Sequence, residues 1–250
     1  MRRKANPKKQ SQIESEWDAL CSARQDAIDS GKDFSLSAVT APCIIRELCG
    51  QVIPSILDVG CGTGYLTSQL AKHAEKCVGI DISAKSISIA KSRYSESGAK
   101  FVRSSIGDYH SVDCFNICVA NMVFSSDPDW IQSIQAIFKL LDKNGCLLVM
   151  LPHPCFWAKY WGIDTSSWFF YNEEVYIEHD FSLSLAKSLG TATYIHRPLS
   201  QYINTICSGG FILEKIEEPY PTKDIPPDYV FDYPRFLFLK FRKIYTEHKA

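Results

Sequence analysis

Strong net charge is missing from this chain. Its 250 residues carry 27 Lys and Arg against 28 Asp and Glu, a formal net charge of −1 at pH 7. Without an overall basic field, the composition argues against nucleic acid as a partner and against an anionic membrane surface. The local exception is the basic segment MRRKANPKKQ at residues 1–10. We expect residues 1–12 to form a flexible, solvated arm, with nucleic-acid binding or targeting as the alternative role.

Long apolar runs and paired cysteines are missing as well. No run of 18 apolar residues occurs, so we expect no membrane span, and no apolar segment follows the basic start as a secretory signal requires. The 10 cysteines are scattered and form no CxxC motif. We therefore expect reduced, mostly buried thiols, no metal site and a cytoplasmic protein.

The part of the chain up to residue 151 alternates between two kinds of segment. Apolar periodicity predicts helices over residues 13–30 and from about residues 41, 65, 84 and 128. Short apolar runs between them predict five strands, SILDV, KCVGID, KFVR, CFNICVA and CLLVML. Because these strands are continuously apolar, the pattern indicates an α/β fold with a parallel sheet covered by helices on both faces.

Three local signals within this region make narrower predictions. Leu66, Leu70 and Ala74 recur at helical spacing, so the helix after the glycines should reach Ala74. Ser83 should cap the next helix through its hydroxyl group. Asp127 should cap a later helix that has proline in its first position.

The alternation ends after residue 151. Residues 152–197 are rich in aromatic side chains and are expected to be irregular, whereas a helix over about 199–207 and two strands, FILEKIEE and FLFLKFRK, follow. We expect a single domain over residues 13–250. It would comprise N-terminal helices that close over the ligand (13–50), a ligand-binding core (55–151), a substrate-side insertion (152–198) and a C-terminal helix with a strand pair (199–243).

The segment ILDVGCGTGYL, residues 56–66, carries three alternating glycines between a predicted strand and a predicted helix. Such a turn offers free N–H groups at a helix start and lets a ligand approach the backbone closely. A P-loop would need GxxxxGK[ST], and no lysine follows. In the dinucleotide pattern GxGxxG the third glycine position is occupied by Tyr65. A nucleoside ligand with an amino-acid end and no phosphate, S-adenosylmethionine, remains.

At this point the residues resemble a known family. LDVGCGTGYLTSQLA followed by VGIDIS resembles the first two motifs of the class I S-adenosylmethionine-dependent methyltransferases, and HRPLSQYINTICSGGFILEKIEEPYP at 196–221 resembles the tail of small-molecule bacterial members. The resemblance implies a Rossmann-like, doubly wound, mostly parallel seven-stranded sheet with helices on both faces. The aromatic-rich insertion would follow the fifth strand.

The resemblance also implies a donor site around the glycine turn. The backbone of Gly60, Cys61 and Gly62 would face the methionyl part of the donor. Asp58, just before the turn, would orient the ammonium group directly or through water. Asp81 at the end of the second strand would accept hydrogen bonds from both ribose hydroxyls.

The remaining donor contacts lie on later strands. Ile82 is expected to cover one face of the adenine. The acid that many family members carry after the third strand is absent, so either Ser105 with the Ile106 backbone contacts adenine or the loop brings Asp108 in. Past the fourth strand, where the sequence reads ANMVFSSDP, Asn121 and Met122 would line the sulfonium end.

The acceptor side is expected to draw on the insertion. His153 is the candidate general base because it follows the fifth strand, with His179 and His196 as alternatives. Arg197 would pair with an acidic group of the acceptor or bond a backbone carbonyl.

Aromatic residues of the insertion, Trp157 and Tyr160 with Trp161, would wall the acceptor pocket or form a minor core. Trp17 in the first helix would close over the ligand.

These expectations describe a methyltransferase (EC 2.1.1.-) that moves a methyl group from S-adenosylmethionine to a small-molecule acceptor by in-line displacement. The alternatives are a nucleic-acid or protein methyltransferase, a non-catalytic S-adenosylmethionine-binding or scaffold protein, and an NAD(P)-dependent oxidoreductase. The acceptor, the methylated atom and the oligomeric state stay open.

Overall fold

Two β-sheets organise the computed structural model, which describes residues 2–50, 52–183, 188–221, 225–227, 229 and 232–244. The strands are β1 (Arg2–Lys4), β2 (Ile53–Val59), β3 (Ala74–Asp81), β4 (Lys100–Arg103), β5 (Phe115–Asn121), β6 (Leu141–Pro152), β7 (Val175–Phe181), β8 (Gly190–His196), β9 (Phe211–Glu217) and β10 (Phe236–Lys243). The helices are α1 (Gln10–Asp29), α2 (Ala41–Arg46), α3 (Tyr65–Leu70), α4 (Ala84–Arg93), α5 (Trp130–Leu140), α6 (Trp157–Trp161) and α7 (Leu199–Ser208). A π-helical turn (Leu36–Thr40) precedes α2, and a 3₁₀ turn (Ala71–His73) follows α3.

The main sheet has seven strands in the order β4-β3-β2-β5-β6-β10-β9. Strands β2 to β6 pair in parallel, and β10 runs antiparallel to both β6 and β9. The order reverses at β2, so the carboxyl ends of β2 and β5 border a crevice where ligands bind in open α/β sheets. The predicted doubly wound, mostly parallel seven-stranded sheet is confirmed.

Apolar layers cover both faces of this sheet. One face is packed by α5 and α7, and Trp130, Ile134 and Ile206 are fully buried there. The other face is packed by α2 and α3 through Ile44 and Leu70. Strands with two covered faces have no polar side, which explains why their sequences are continuously apolar. None of the helices in the described ranges has the length and apolarity to cross a bilayer.

The local signals have mixed outcomes. Ser83 caps α4 as predicted, because its Oγ accepts a 3.0 Å hydrogen bond from the Ser86 amide. The prediction that α3 reaches Ala74 is wrong, since α3 ends at Leu70 and Ala74 begins β3. The prediction that Asp127 caps α5 is wrong, because the N-cap of α5 is Asp129. The Asp127 carboxylate instead accepts a 2.8 Å hydrogen bond from the Asp129 amide.

The prediction that the insertion is irregular is wrong. β7 and β8 form an antiparallel hairpin, and β1 adds to the outer side of β7 to give a second, three-stranded sheet. Arg2–Lys4 are therefore part of a sheet, not of a flexible arm. The edge of β7 offers unpaired backbone groups, and pairing with the N-terminal segment satisfies them. Residues 184–187 of the insertion, residues 222–224, 228 and 230–231 of the predicted C-terminal region (199–243), and residues 245–250 of the predicted domain lie outside the described residues.

Helix α1 joins the small sheet to the rest of the protein. Thr193 of β8 donates a 3.0 Å hydrogen bond to Glu16 of α1, and Trp17 makes an edge contact with Phe181 at 5.3 Å between ring centroids. On its far side α1 reaches α4, where the Arg93 guanidinium pairs with Asp29 at 2.8 Å. Helix α1 and the small sheet together cover the edge of the main sheet at which its parallel strands have their carboxyl ends.

Candidate functional site

A cavity of about 720 Å³ lies between the main sheet and the cover formed by α1 and the small sheet. Its floor is formed at the carboxyl ends of β2, β3 and β5, and its walls come from α1, α6 and the three-stranded sheet. The residues named from the sequence that line it are Trp17, Gly60, Gly62, Asp81, Ile82, Ser105, Ile106, Asp108, Asn121, Met122, Trp157, Tyr160, Trp161 and His179. The cavity thus brings together most of the predicted donor residues and the predicted aromatic wall.

The glycine turn has the backbone that its sequence suggests. Gly60 and Gly62 adopt φ values of +66° and +54°, which L side chains rarely adopt. A Cβ on Gly60 would lie 2.5 Å from Cγ2 of Val123, a distance that real Cβ atoms do not reach. Glycine adopts these φ values with less strain than other residues, and at Gly60 a larger residue would also have to displace the Val123 side chain.

Asp81 is held at the tip of β3 by two backbone amides. Its Oδ2 accepts a 2.8 Å hydrogen bond from Gly62 and its Oδ1 accepts a 2.8 Å hydrogen bond from Ser83. Each carboxylate oxygen has a second acceptor site, which leaves capacity for two hydroxyl donors from the cavity. Burial raises the pKa of Asp81, and these amides and the positive charge of Arg24 oppose that shift.

Asp58 and Cys61 do not face the cavity, contrary to the expectation. Asp58 is 1% exposed, and its Oδ2 accepts a 2.6 Å hydrogen bond from the Thr67 hydroxyl. Burial raises the pKa of Asp58 to about 7. The Cys61 amide donates to the Ile80 carbonyl at 2.9 Å, so it is not available to a ligand. The β2 pleat directs Asp58 into the protein, and the Cys61 side chain packs in a buried cluster with Ile87 and Phe101.

The loop after β4 brings together Ser105 and Asp108, the two alternatives considered for the adenine contact. Both residues line the cavity with Ile106, and the Ser105 hydroxyl donates to Asp108 Oδ2 at 2.7 Å. The Asp108 amide returns a 3.1 Å hydrogen bond to Ser105 Oγ. The two side chains form one polar unit at this end of the cavity, so the alternatives do not exclude each other.

Asn121 ends β5 and Met122 follows it, and both residues line the cavity. Met122 has a φ of +63°, the one positive value for a residue other than glycine in the described ranges, and its amide donates to the Met150 carbonyl at 2.8 Å. The Oδ1 atom of Asn121 is buried and has no hydrogen-bond partner among the described residues. A buried acceptor without a donor is costly, so this atom marks a place where a ligand donor fits.

Helix α1 contributes cavity residues that the sequence reasoning missed, apart from Trp17. Ile13, Trp17, Cys21 and Arg24 line the cavity at a spacing that places them on one face of the helix. That spacing is visible in the sequence and could have identified Arg24. Its Nη1 lies 3.5 Å from the position that a Cβ on Gly62 would take.

The missed residue Asp33 lies near the same part of the cavity. Asp33 is 4% exposed, lines the cavity and accepts a 3.1 Å hydrogen bond from the Leu36 amide. Burial raises its pKa, and the charge of Arg24 opposes the shift. The Arg24 Nε is buried without a hydrogen-bond partner among the described residues. This corner therefore offers a cation and a carboxyl group to one ligand.

The opposite end of the cavity is aromatic. Trp157 lies 5.3 Å from Tyr160 and 5.5 Å from Trp161, measured between ring centroids. Tyr194 of β8 contacts Trp161 at 5.3 Å, and all four rings line the cavity. The aromatic residues of the insertion thus form a wall of the cavity.

His153 does not reach the cavity, contrary to the expectation. It is 2% exposed, its Nδ1 accepts from the Cys155 amide at 3.2 Å, and its Nε2 lies 2.9 Å from Glu218. With Nδ1 accepting, Nε2 carries the proton and donates to the carboxylate. Burial lowers the pKa of His153, although Glu218 opposes the shift. These contacts join the β6 end to the segment after β9.

His196 and Arg197 also lie outside the cavity lining, and both are fully buried. The Nε2 of His196 lies 2.9 Å from the Tyr171 carbonyl oxygen. Arg197 donates to the Phe124 and Asp127 carbonyls at 2.6 and 3.0 Å and pairs with Glu174 at 2.6 Å. It therefore holds the loop after β5 against the insertion and bonds backbone carbonyls, one of the two alternatives considered for it.

His179 is the histidine that does line the cavity. Its Nδ1 lies 3.2 Å from the Asp180 carbonyl oxygen, and its ring lies 4.5 Å from Trp161. Burial lowers the pKa of His179 to about 4. It is therefore neutral at pH 7, and a neutral ring that donates through Nδ1 keeps an acceptor lone pair on Nε2.

Comparison with known proteins agrees with the architecture. Residues 54–181 match the family model described as "Methyltransferase domain". A solved S-adenosylmethionine-dependent methyltransferase from Mesorhizobium loti superposes with a TM-score of 0.63 at 22% identity, covering 82% of this chain and 98% of that one. One from Clostridium acetobutylicum superposes with a TM-score of 0.64 at 14% identity, covering 90% and 100%.

Curated relatives match over shorter stretches. Malonyl-[acyl-carrier protein] O-methyltransferase from Bacillus anthracis is 32% identical over 37% of this chain and 35% of its own length. Trans-aconitate 2-methyltransferase from Afipia carboxidovorans is 30% identical over 43% of each chain. The alignment with each of these relatives spans less than half of the relative's length.

Proposed function

The chain belongs to the methyltransferase-domain family, and we propose that it transfers a methyl group from S-adenosylmethionine to a small molecule enclosed in the 720 Å³ cavity. The observation that carries this proposal is the continuity of the cavity. The glycine turn and Asp81 line one end, and Trp157 and Tyr160 line the other. A donor at the first end and an acceptor at the second would share one enclosed space.

The residues present fit the donor. Glycine at position 62 leaves space beside Arg24 that a side chain would occupy, and the unpartnered Arg24 Nε with the Asp33 carboxyl group suits a zwitterionic amino-acid end. Asp81 offers two acceptor sites to a ribose. The Ser105–Asp108 unit and Ile82 suit an adenine, one through polar contacts and one through an apolar face.

S-adenosylmethionine supplies an activated methyl group on a sulfonium, with a neutral thioether as the leaving group. The protein's own contribution is positioning, which is worth about 7–11 kcal/mol when reacting groups are held in line. Asn121 and Met122, at the carboxyl end of β5, line the cavity and would lie beside the sulfonium of the donor. The aromatic wall excludes water and orients a flat acceptor.

A general base is needed only for an acceptor that enters protonated. Among the histidines that the sequence put forward, His179 is the one whose position and protonation suit that role, because it lines the cavity and its pKa is lowered to about 4. A base with such a low pKa is weak, so an acceptor that is already deprotonated would suit this cavity better.

Calorimetric titration with S-adenosylhomocysteine and, separately, NADH tests the donor site. We expect binding of S-adenosylhomocysteine only, and binding of NADH alone would favour an oxidoreductase.

Turnover of methyl-labelled donor with a lysate, separated into small-molecule and macromolecular fractions, then tests the class of acceptor. Label in the macromolecular fraction would contradict the proposal, and donor binding without transfer to either fraction would favour a non-catalytic binding protein.

A further inference from the structure

Arg2 reaches the cavity because β1 pairs with the small sheet. In the antiparallel register Arg2 lies opposite His179, and both residues line the cavity. Arg3 is the next residue of the strand, so its side chain lies on the other face. It pairs there with Glu178 at 2.7 Å. Because neighbouring side chains of β1 lie on opposite faces of the sheet, Arg2 lines the cavity whereas Arg3 lies at the surface.

Two guanidinium groups flank the aromatic wall. The Arg2 guanidinium lies 5.3 Å from the Trp161 ring centroid and donates to the Trp161 carbonyl at 3.1 Å. The Arg235 guanidinium lies 4.1 Å from the Tyr160 ring centroid, and Arg235 is 8% exposed. A guanidinium stacked on a ring directs its N–H groups outward along its edge, where a planar carboxylate fits.

Unused hydrogen-bond donors lie along the same wall. The Trp157 Nε1 and the Tyr194 hydroxyl are buried and have no hydrogen-bond partner in the described part of the chain. An indole N–H can only donate. Burial raises the pKa of Tyr194 well above its ordinary value of 10, so its hydroxyl keeps its proton. The Trp157 indole needs an acceptor atom, which a ligand in the cavity could supply, whereas the Tyr194 hydroxyl has Tyr202 and Arg197, both outside the lining, as its electrostatic neighbours.

The acids that line the cavity are unevenly distributed, whereas arginines occur at both ends, with Arg24 at the donor end and Arg2 and Arg235 beside the aromatic wall. The acidic residues among the described lining come from the donor side or from the loop after β5, namely Asp33, Asp81, Asp108, Asp127 and Asp129. The lining residues contributed by β1, α6, β7 and β8 include no acid, although Asp180 acts on Arg2 electrostatically from outside the lining. The acceptor end therefore favours a negatively charged ligand.

We propose that the acceptor is a planar molecule that carries a carboxylate, held by Arg2 and Arg235 against the wall of Trp157, Tyr160 and Trp161. This assignment rests on the proposed methyltransferase function. It also gives the basic N-terminal segment a role, because Arg2 completes the acceptor end of the cavity. The aromatic wall selects a flat molecule and the two arginines select its charge.

Matched acids and amides test the assignment. Benzoate against benzamide, and indole-3-acetate against indole-3-acetamide, are titrated calorimetrically into the protein saturated with S-adenosylhomocysteine. We expect each acid to bind at least about fivefold more tightly than its amide. An acid that binds no better than its amide, or gives no heat, overturns the assignment. Failure of S-adenosylhomocysteine itself to bind is a separate result and counts against the proposed function.

Two arginine variants test whether Arg2 causes the preference for the acid over its amide. Arg2→Gln should reduce the preference for the acid to less than about twofold, whereas Arg3→Gln, one residue away on the other face of β1, should keep it. Both variants should bind S-adenosylhomocysteine as the wild type does. Equal acid preference in the two variants overturns the role of Arg2.

In turnover assays, labelled methyl groups should enter only compounds from the lysate fraction that is retained on an anion exchanger. Transfer confined to the unretained fraction overturns the assignment.

Discussion

The Gly62 amide donates a 2.8 Å hydrogen bond to Oδ2 of Asp81, which links the glycine turn after β2 to the tip of β3. The two residues are 19 positions apart in sequence, and both line the cavity. The contact fixes the carboxylate at the donor end of the cavity and holds the turn in its left-handed conformation. Removal of the carboxylate should therefore affect both the ligand contact and the turn.

Asp81→Asn should weaken S-adenosylhomocysteine binding by at least about tenfold. An amide offers one acceptor oxygen where the carboxylate offers two, and hydrogen bonds to a charged group are worth about 1.5–3 kcal/mol each. Asp113→Asn is the matched control, since it removes an acid whose side chain is 75% exposed at the opposite end of β5. Isothermal titration of both variants, with thermal unfolding to check the fold, measures the effect. An unchanged dissociation constant for Asp81→Asn would show that the ribose lies elsewhere.

Gly60→Ala should abolish donor binding and destabilise the protein more than Gly98→Ala does. Both glycines have positive φ, at +66° and +78°, so both substitutions carry the conformational cost, which is of order 1 kcal/mol. Only at Gly60 would the new Cβ meet a neighbour, at 2.5 Å from Val123, whereas nothing lies within 4 Å at Gly98. Urea unfolding compares the two variants. Equal losses of stability would mean that the contact with Val123 relaxes without cost.

Asp58→Asn should flatten the pH dependence of stability between about pH 4 and pH 7. The folded-state pKa of Asp58 is raised to about 7, so the folded protein holds a proton that the unfolded chain releases near pH 4. Stability is therefore lost as the pH rises through this window, by up to roughly 1.4 kcal/mol per pH unit from this group. Asparagine does not titrate and keeps an oxygen for the Thr67 hydroxyl. Wild-type and variant unfolding curves of identical pH dependence would contradict a buried titrating Asp58.

Arg197→Ala should destabilise the protein by about 3 kcal/mol or more and weaken donor binding. The arginine is fully buried, and its loss leaves two carbonyls and Glu174 without their donor. The loop that it holds carries residues of the cavity floor. Glu174→Gln is the comparison, because it removes the ion pair but keeps the carbonyl contacts, and it should cost about 1 kcal/mol. Urea unfolding distinguishes the two, and equal costs would show that the ion pair alone carries the effect.

His153→Gln should lower thermal stability and leave the affinity for S-adenosylhomocysteine within about twofold of the wild type. The ring joins the Cys155 amide to Glu218 and lies outside the cavity lining. Because burial lowers its pKa, the ring stabilises the fold above its ordinary pKa of 6.5, and this contribution is lost as the pH falls below that value. Thermal unfolding across pH 5 to 8 measures it. A large loss of turnover without a change in stability would restore His153 as a catalytic candidate.

Local sequence patterns predicted the core well. β4 and β10 cover the predicted segments KFVR and FLFLKFRK, and α7 (Leu199–Ser208) ends one residue beyond the predicted end at 207, before Gly209. These elements are set by short-range features: a continuous apolar run, a capping hydroxyl group, or a glycine after a helix. The prediction that α3 extends to Ala74 was wrong because the apolar spacing persists where the chain already pairs with β2 as strand β3.

The acceptor side was predicted less accurately, and the physical reason is the distance in sequence between its parts. Trp157 and Tyr160 were found because aromatic clusters are visible in the sequence. His153 was preferred to His179 because it follows a strand end, yet its partner Glu218 is 65 positions away. No local pattern places Arg2 opposite His179 in a sheet.

Conformational and periodic preferences act over a few residues, so local sequence was enough to predict the strand–turn–helix with its three glycines, the carboxylate at the tip of β3 and the order of the main elements. Which polar side chains face the cavity could be read only from the folded protein. The pairing of β1 with β7 brings Arg2 in, and the pleat of β2 turns Asp58 away. Such choices depend on packing between segments far apart in the chain, and that packing is settled only when the whole core forms.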